Sequence, residues 1–87
     1  MLIPQAIATD KYSIYVRDSN NNIVSNAQVE VWISNYIYDH GSTNENGIFY
    51  SYLDNTINYH IIAKGNGQNG DWQGYPTGDV INVNMHT

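Results

Sequence analysis

The sequence has 87 residues, with eight Asp and Glu against three Lys and Arg (a formal charge of −5) and no cysteine. That is material for one domain, with no disulfides or thiolate metal sites and none of the basic surplus that nucleic-acid binding needs. No apolar run comes near the ~20 residues of a membrane-spanning helix.

The chain opens Met1-Leu2-Ile3-Pro4-Gln5-Ala6-Ile7-Ala8, apolar and without the basic n-region of a signal peptide. Residues 1–10 read as an N-terminal arm and 11–87 as a β-sandwich domain. Leu2 and Ile3 are the arm's candidate contacts, made either with its own sandwich or with a neighbour as an added strand. Pro4 lacks an N–H and restricts such pairing to a sheet edge.

Beyond the arm, apolar residues recur with period two and no helical stripe appears. Tyr12 to Arg17 reads as a strand with Tyr12, Ile14 and Val16 on one face, and Asp18 to Asn22 as a turn. Ala27 to Ile33 alternates again, with Ala27, Val29, Val31 and Ile33 inward and Gln28, Glu30 and Trp32 outward. A short Tyr36–Tyr38 strand follows, then turn material from Asp39 to Gly47. The next strand runs from Ile48 to Leu53, with Phe49 as its core anchor. Tyr59 to Ala63 places Tyr59, Ile61 and Ala63 inward. Gly65 to Gly78 holds five glycines and reads as a long loop. Asp79 to Met85 closes the domain with Ile81, Val83 and Met85 inward. Short strands with regular turns predict an all-β fold, a single small Greek-key sandwich of about seven strands, transthyretin- or Ig-like.

Between Ile14 and Gly65 the spacing resembles the carboxypeptidase regulatory-like and Cna protein B-type group. The matching positions are Val16-Arg17-Asp18, Val24, Asn26-Ala27, Val29 and Val31, then Thr43, Asn46-Gly47 and Phe49, then Leu53, Tyr59, Ile61 and Ala63. The resemblance implies a transthyretin-like sandwich. It departs at the family's turn glycines, which are Asn21 and Asn26 here. Asn is the non-glycine residue that best tolerates positive φ, so the turns are expected to survive. Some members carry a Lys–Asn isopeptide bond assisted by a buried Glu. Those positions fall at Val16 and near Ala63, both apolar, so no such bond is expected.

Site chemistry is sparse. Gly65-x-Gly67-x-x-Gly70 has dinucleotide-loop spacing, but Asp71-Trp72-Gln73-Gly74-Tyr75-Pro76 offers no helix N-terminus to receive a pyrophosphate. Asp18, Asn20 and Asn22 have calcium-loop spacing, but Ile23 and Val29 stand where Gly and Glu are needed. His40, His60 and His86 show neither metal nor triad spacing. No catalytic, metal or cofactor site is expected.

Aromatic residues carry the functional expectation. The alternation turns Tyr15, Trp32, Tyr50 and Tyr52 outward, with Tyr36 and Tyr38 expected to join them. Monomers seldom expose large apolar patches, and Tyr and Trp are enriched in protein interfaces. Only 13% of residues are charged, while Asn alone occurs thirteen times. An uncharged polar, aromatic-rich surface of this kind suits an extracellular or virion-surface setting. The expectation is a non-enzymatic structural subunit that self-assembles, or joins other surface or virion proteins, through aromatic sheet faces, edges and the arm. The alternative is a carbohydrate-binding or adhesin module in which Trp72 and Tyr75 stack on sugar rings. The competing reading of those two rings is that they fold back over the open end of the sandwich.

Overall fold

Alternation of apolar and polar residues produces seven strands in the computed structural model, which describes residues 9–87. They are β1 (Asp10–Arg17), β2 (Gln28–Ile33), β3 (Tyr36–Ser42), β4 (Ile48–Leu53), β5 (Tyr59–Gly65), β6 (Gln68–Gly74) and β7 (Val80–Asn84). Two sheets form, a three-stranded one in the order β4-β1-β7 and a four-stranded one in the order β3-β2-β5-β6. The expected small all-β sandwich is what the chain makes. All neighbours are antiparallel except β1 and β7, which run parallel in the register Ile14–Ile81 and Val16–Val83. The first strand starts at Asp10, one residue inside the segment read as the arm. Leu2 and Ile3 lie outside the described residues.

The core is what period two selected. Tyr12, Ile14 and Val16 of β1, with Ile81 and Val83 of the neighbouring β7 and Met85 just beyond it, meet Val29 and Val31 of β2 and Tyr59, Ile61 and Ala63 of β5, all buried. Burying a Val, Leu or Ile side chain is worth about 1.5–3 kcal/mol, so this single cluster holds the two sheets together. Phe49 is not the central anchor. It is partly buried at the margin, with its ring against Gly41, where a Cβ would lie 2.5 Å from Phe49 Cε1. Leu53, two positions further along β4, takes the fully buried place.

Two stretches read as turn or loop are strand. β3 continues to Ser42, paired with β2 as far as Gln28–Ser42. The glycine-rich segment folds into β6, which pairs with β5 from Tyr59–Gly74 to Gly65–Gln68. The connection is a two-residue turn at Asn66 (φ 52°) and Gly67 (φ 74°). Paired positive φ values match the right-handed twist of a hairpin, and Asn-Gly is its preferred sequence. Gly70 is needed further on, because a Cβ there would strike the Asn84 carbonyl. Its absence lets β6 approach the end of β7, where Asn69 and His86 exchange backbone hydrogen bonds of 3.1 and 2.9 Å. Asn21 and Asn26 both take positive φ, 66° and 60°.

The opposite edge is joined by side chains. Ser51 Oγ donates to Asp39 Oδ2 at 2.7 Å, and Tyr38 Oη donates to the Tyr52 carbonyl at 2.6 Å. Tyr38 therefore does not simply join the outward aromatics. A register shift after Val31 re-aims β3, since Val31 pairs with Asp39 but Trp32 with Ile37. The Tyr38 ring turns across the seam and sits 5.7 Å from the Tyr59 ring.

Candidate functional site

The outward face of the three-stranded sheet gathers three tyrosines, Tyr15, Tyr50 and Tyr52. Lys11, Ser13, Tyr15 and Arg17 alternate with the buried residues of β1 and so point away from the core. Their cross-strand partners on β4 are Tyr52, Tyr50 and Ile48, opposite Lys11, Ser13 and Tyr15. On the other side Val80, Asn82 and Asn84 of β7 lie opposite Ser13, Tyr15 and Arg17. Tyr50 is 46% exposed and Tyr52 is 59% exposed, while Tyr15 is half-buried.

Two of the rings carry a cation. Lys11 Nζ lies 4.3 Å from the Tyr50 ring centroid, and Arg17 Cζ lies 5.3 Å from that of Tyr15. Such contacts contribute about 0.5–1 kcal/mol at exposed sites. Arg17 Nη1 also donates to Asn82 Oδ1 at 2.7 Å, which ties the guanidinium to β7. The face is thus aromatic and cationic together. The parity that turned Tyr15 outward also turns Lys11 and Arg17 outward, so their common side was legible in the sequence, while the approach of Lys11 to Tyr50 depends on the β1–β4 pairing.

The remaining aromatic candidates lie elsewhere. Trp32 lies on the outer face of the four-stranded sheet, half-buried, with Nε1 donating to Glu30 Oε1 at 3.2 Å. On the same face His60 Nε2 meets Asp71 Oδ2 at 2.7 Å. That pair depended on the β5–β6 register, for which Asn66-Gly67 was the available signal. Trp72 occupies an inward position of β6 opposite buried Ile61 and packs on the core. Tyr75, past the end of β6, is 57% exposed. Of the two proposed sugar-stacking rings, one has folded back and one stands in solvent.

Tyr36, Tyr38 and Tyr59 line a cleft of about 360 Å³ with Ile33, Ile57 and Asp54. Thr56 donates its hydroxyl at 2.6 Å and its N–H at 2.8 Å to Asp54 Oδ1, and these bonds hold the carboxyl below its ordinary 3.8. Asp54 is therefore a fixed negative charge at the cleft. The Asp18 carboxylate is likewise engaged locally. It accepts from the N–H groups of Asn20 and Asn22 at 2.9 Å each, the geometry of a side-chain-mimicked turn. Among the described residues no three His, Asp or Glu side chains converge as a metal site.

Burial pushes the Tyr12 phenol above its ordinary 10.0, and the Asp10 and Asp79 carboxylates add to this. Burial does the same to Tyr38, with Asp39, Tyr36 and Asp54 assisting, and to Tyr59, where the bond from the Asp54 N–H partly opposes it. In the unfolded chain these phenols ionise earlier. The stability they confer is therefore complete below pH 10.0 and is lost as pH rises through their folded values. An alkaline titration followed by tyrosinate absorbance is expected to show a late-ionising fraction. Tyr12→Phe and Tyr38→Phe should each remove part of it, and an undiminished late fraction in both would refute the assignment.

The fold and this surface define a small seven-stranded β-sandwich with an aromatic, cation-bearing sheet face. Comparison with family models, with curated proteins and with solved structures gave no match.

Proposed function

We propose that the chain is a non-enzymatic structural subunit which assembles with itself, or with other surface or virion proteins, as part of a virion surface, fibre or extracellular filament. The observation that carries this reading is the placement of Tyr50 and Tyr52, both strongly exposed, on one sheet face beside Tyr15, Ile48 and Val80. Rings held on a rigid strand lose little entropy on docking, which is why tyrosines dominate interface energetics. Kinship with the transthyretin-like carboxypeptidase regulatory-like group belongs to the same proposal and rests on the Thr43, Gly47 and Tyr59 spacing. The reading requires the native protein to associate as its concentration rises.

Light scattering across a dilution series tests it. Tyr50→Ser and Tyr52→Ser should each weaken association by about 1–2 kcal/mol, roughly 5–30-fold. A strict monomer at high concentration would overturn the proposal. Glycan-array binding abolished by Tyr75→Ala would favour the carbohydrate-binding alternative instead.

A further inference from the structure

We infer that the subunits stack head to tail, the outer face of the three-stranded sheet in one copy meeting the outer face of the four-stranded sheet in the next. This rests on the self-assembly proposed above and specifies its geometry. The first observation is where the charge lies. The chain has only three Lys and Arg in a total of −5, yet two of them, Lys11 and Arg17, project from this one face. None of the outward positions of β1, β4 and β7 is acidic. Asp18, Asp54 and Asp79 fall just past strand ends, and Asp10 opens β1 on the opposite parity.

The second observation is the opposite face. There the outward positions of β2, β5 and β6 carry the carboxylates of Glu30 and of Asp71, the latter bonded to His60 at 2.7 Å, against the single ammonium of Lys64, and β3 sets His40 opposite Glu30. Trp32 and Ile62 supply apolar surface between them, in register with His60 and Glu30 of the neighbouring strands. One outer face is cationic and aromatic, and the other is net acidic and partly apolar.

These signs decide the symmetry. A two-fold dimer through the cationic face would bring two copies of Lys11 and Arg17 together, and like charges across an interface are unfavourable. Contact between unlike faces removes that repulsion. Such an interface is heterologous, so each added copy presents the same unsatisfied face again and growth continues unless the rotation closes a ring. Three strands at ~4.8 Å spacing and about six residues at ~3.3 Å give a plate of roughly 300 Å². That is below the ~800 Å² per partner of a standard interface, so each contact is weak and assembly depends on concentration.

Sedimentation velocity on the full chain tests the stacking. The double variant Lys11→Glu with Arg17→Glu should lose the concentration-dependent rise in sedimentation coefficient. So should Glu30→Lys with Asp71→Lys. An equimolar mixture of the two should regain it, because each reversed face then meets an opposite partner. Salt gives a readout without variants: shortening the Debye length from ~30 to ~3 Å should disperse wild-type assemblies. If wild-type chains assemble but the reversed pairs still do so alone, or the mixture does not recover, or salt has no effect, head-to-tail stacking is wrong while self-assembly stands. A wild-type monomer at all concentrations would overturn both. A monomer whose binding to polygalacturonate is lost in the Lys11/Arg17 variant would instead assign the cationic face to an acidic polysaccharide.

Discussion

Tyr59→Ala is expected to remove about 3–5 kcal/mol of folding stability. Tyr59 is the largest of the fully buried side chains. It stands where the β5 end of the four-stranded sheet meets the cleft. Its ring packs at a 53° tilt to that of Tyr38, whose hydroxyl in turn reaches β4. Truncation leaves a void that the two sheets cannot both collapse into. It also takes away the phenolic oxygen that accepts from the Asp54 N–H at 2.9 Å. A domain of 87 residues has about 4–13 kcal/mol in total, so this one change consumes much of the margin. Urea unfolding at a concentration that keeps the protein dissociated should show it as a lower midpoint, free of assembly linkage. Tyr59→Phe keeps the ring and loses only the acceptor, and should cost about 1 kcal/mol. Equal losses in the two variants would shift the weight from packing to the hydroxyl.

The inward faces of β1, β2, β5 and β7 were legible because burial enforces period two. A one-residue slip would have turned Ile14, Val31, Ile61 and Val83 into water. β6 was not legible by that rule, because in Gln68–Gly74 only Trp72 is a large apolar residue. Its pairing comes from backbone bonds to β5 and from the space that glycine leaves at position 70. The Asn66-Gly67 dipeptide was the one local signal for it, and the density of nearby glycines hid it. Tyr38 shows a different limit. Strict alternation cannot anticipate the register shift at Val31/Trp32 that swings its ring across the seam. For the candidate site, parity turned Tyr15, Trp32, Tyr50 and Tyr52 away from the core and would have set Lys11 and Arg17 on the side of Tyr15, but gathering Tyr15, Tyr50 and Tyr52 on one sheet required the pairing of β1 with β4. The sheet assignment of Trp32, apart from those tyrosines, required the strand order.

Thr43→Val is expected to cost about 2–4 kcal/mol even though it preserves volume. Thr43 is 5% exposed. Its hydroxyl accepts from the Ala27 N–H at 2.8 Å and donates to the Val24 carbonyl at 2.7 Å. Both partners lie in the segment that carries the chain from β1 in one sheet to β2 in the other. That segment turns at Asn26, with φ of 60°; Asn26 and Ala27 exchange backbone bonds with Thr43 at 3.0 and 2.9 Å, while the Ala27 N–H and the Val24 carbonyl are met by the Thr43 hydroxyl. Valine would strip the hydroxyl from both at once, and a buried polar group left without its partner costs about 1–3 kcal/mol. Thr43→Ser keeps both bonds and loses one methyl, which predicts about 1 kcal/mol. The ordering Val well below Ser, measured as urea midpoints, separates hydrogen bonding from packing. Amide exchange adds a local readout, since the Ala27 N–H should lose protection in the Val variant while that of Ile61, in the β2–β5 ladder, falls only with global stability. Uniform loss at both amides would mean that the crossover is no more than a passive connector, and that the two outer faces are held in place by the core alone.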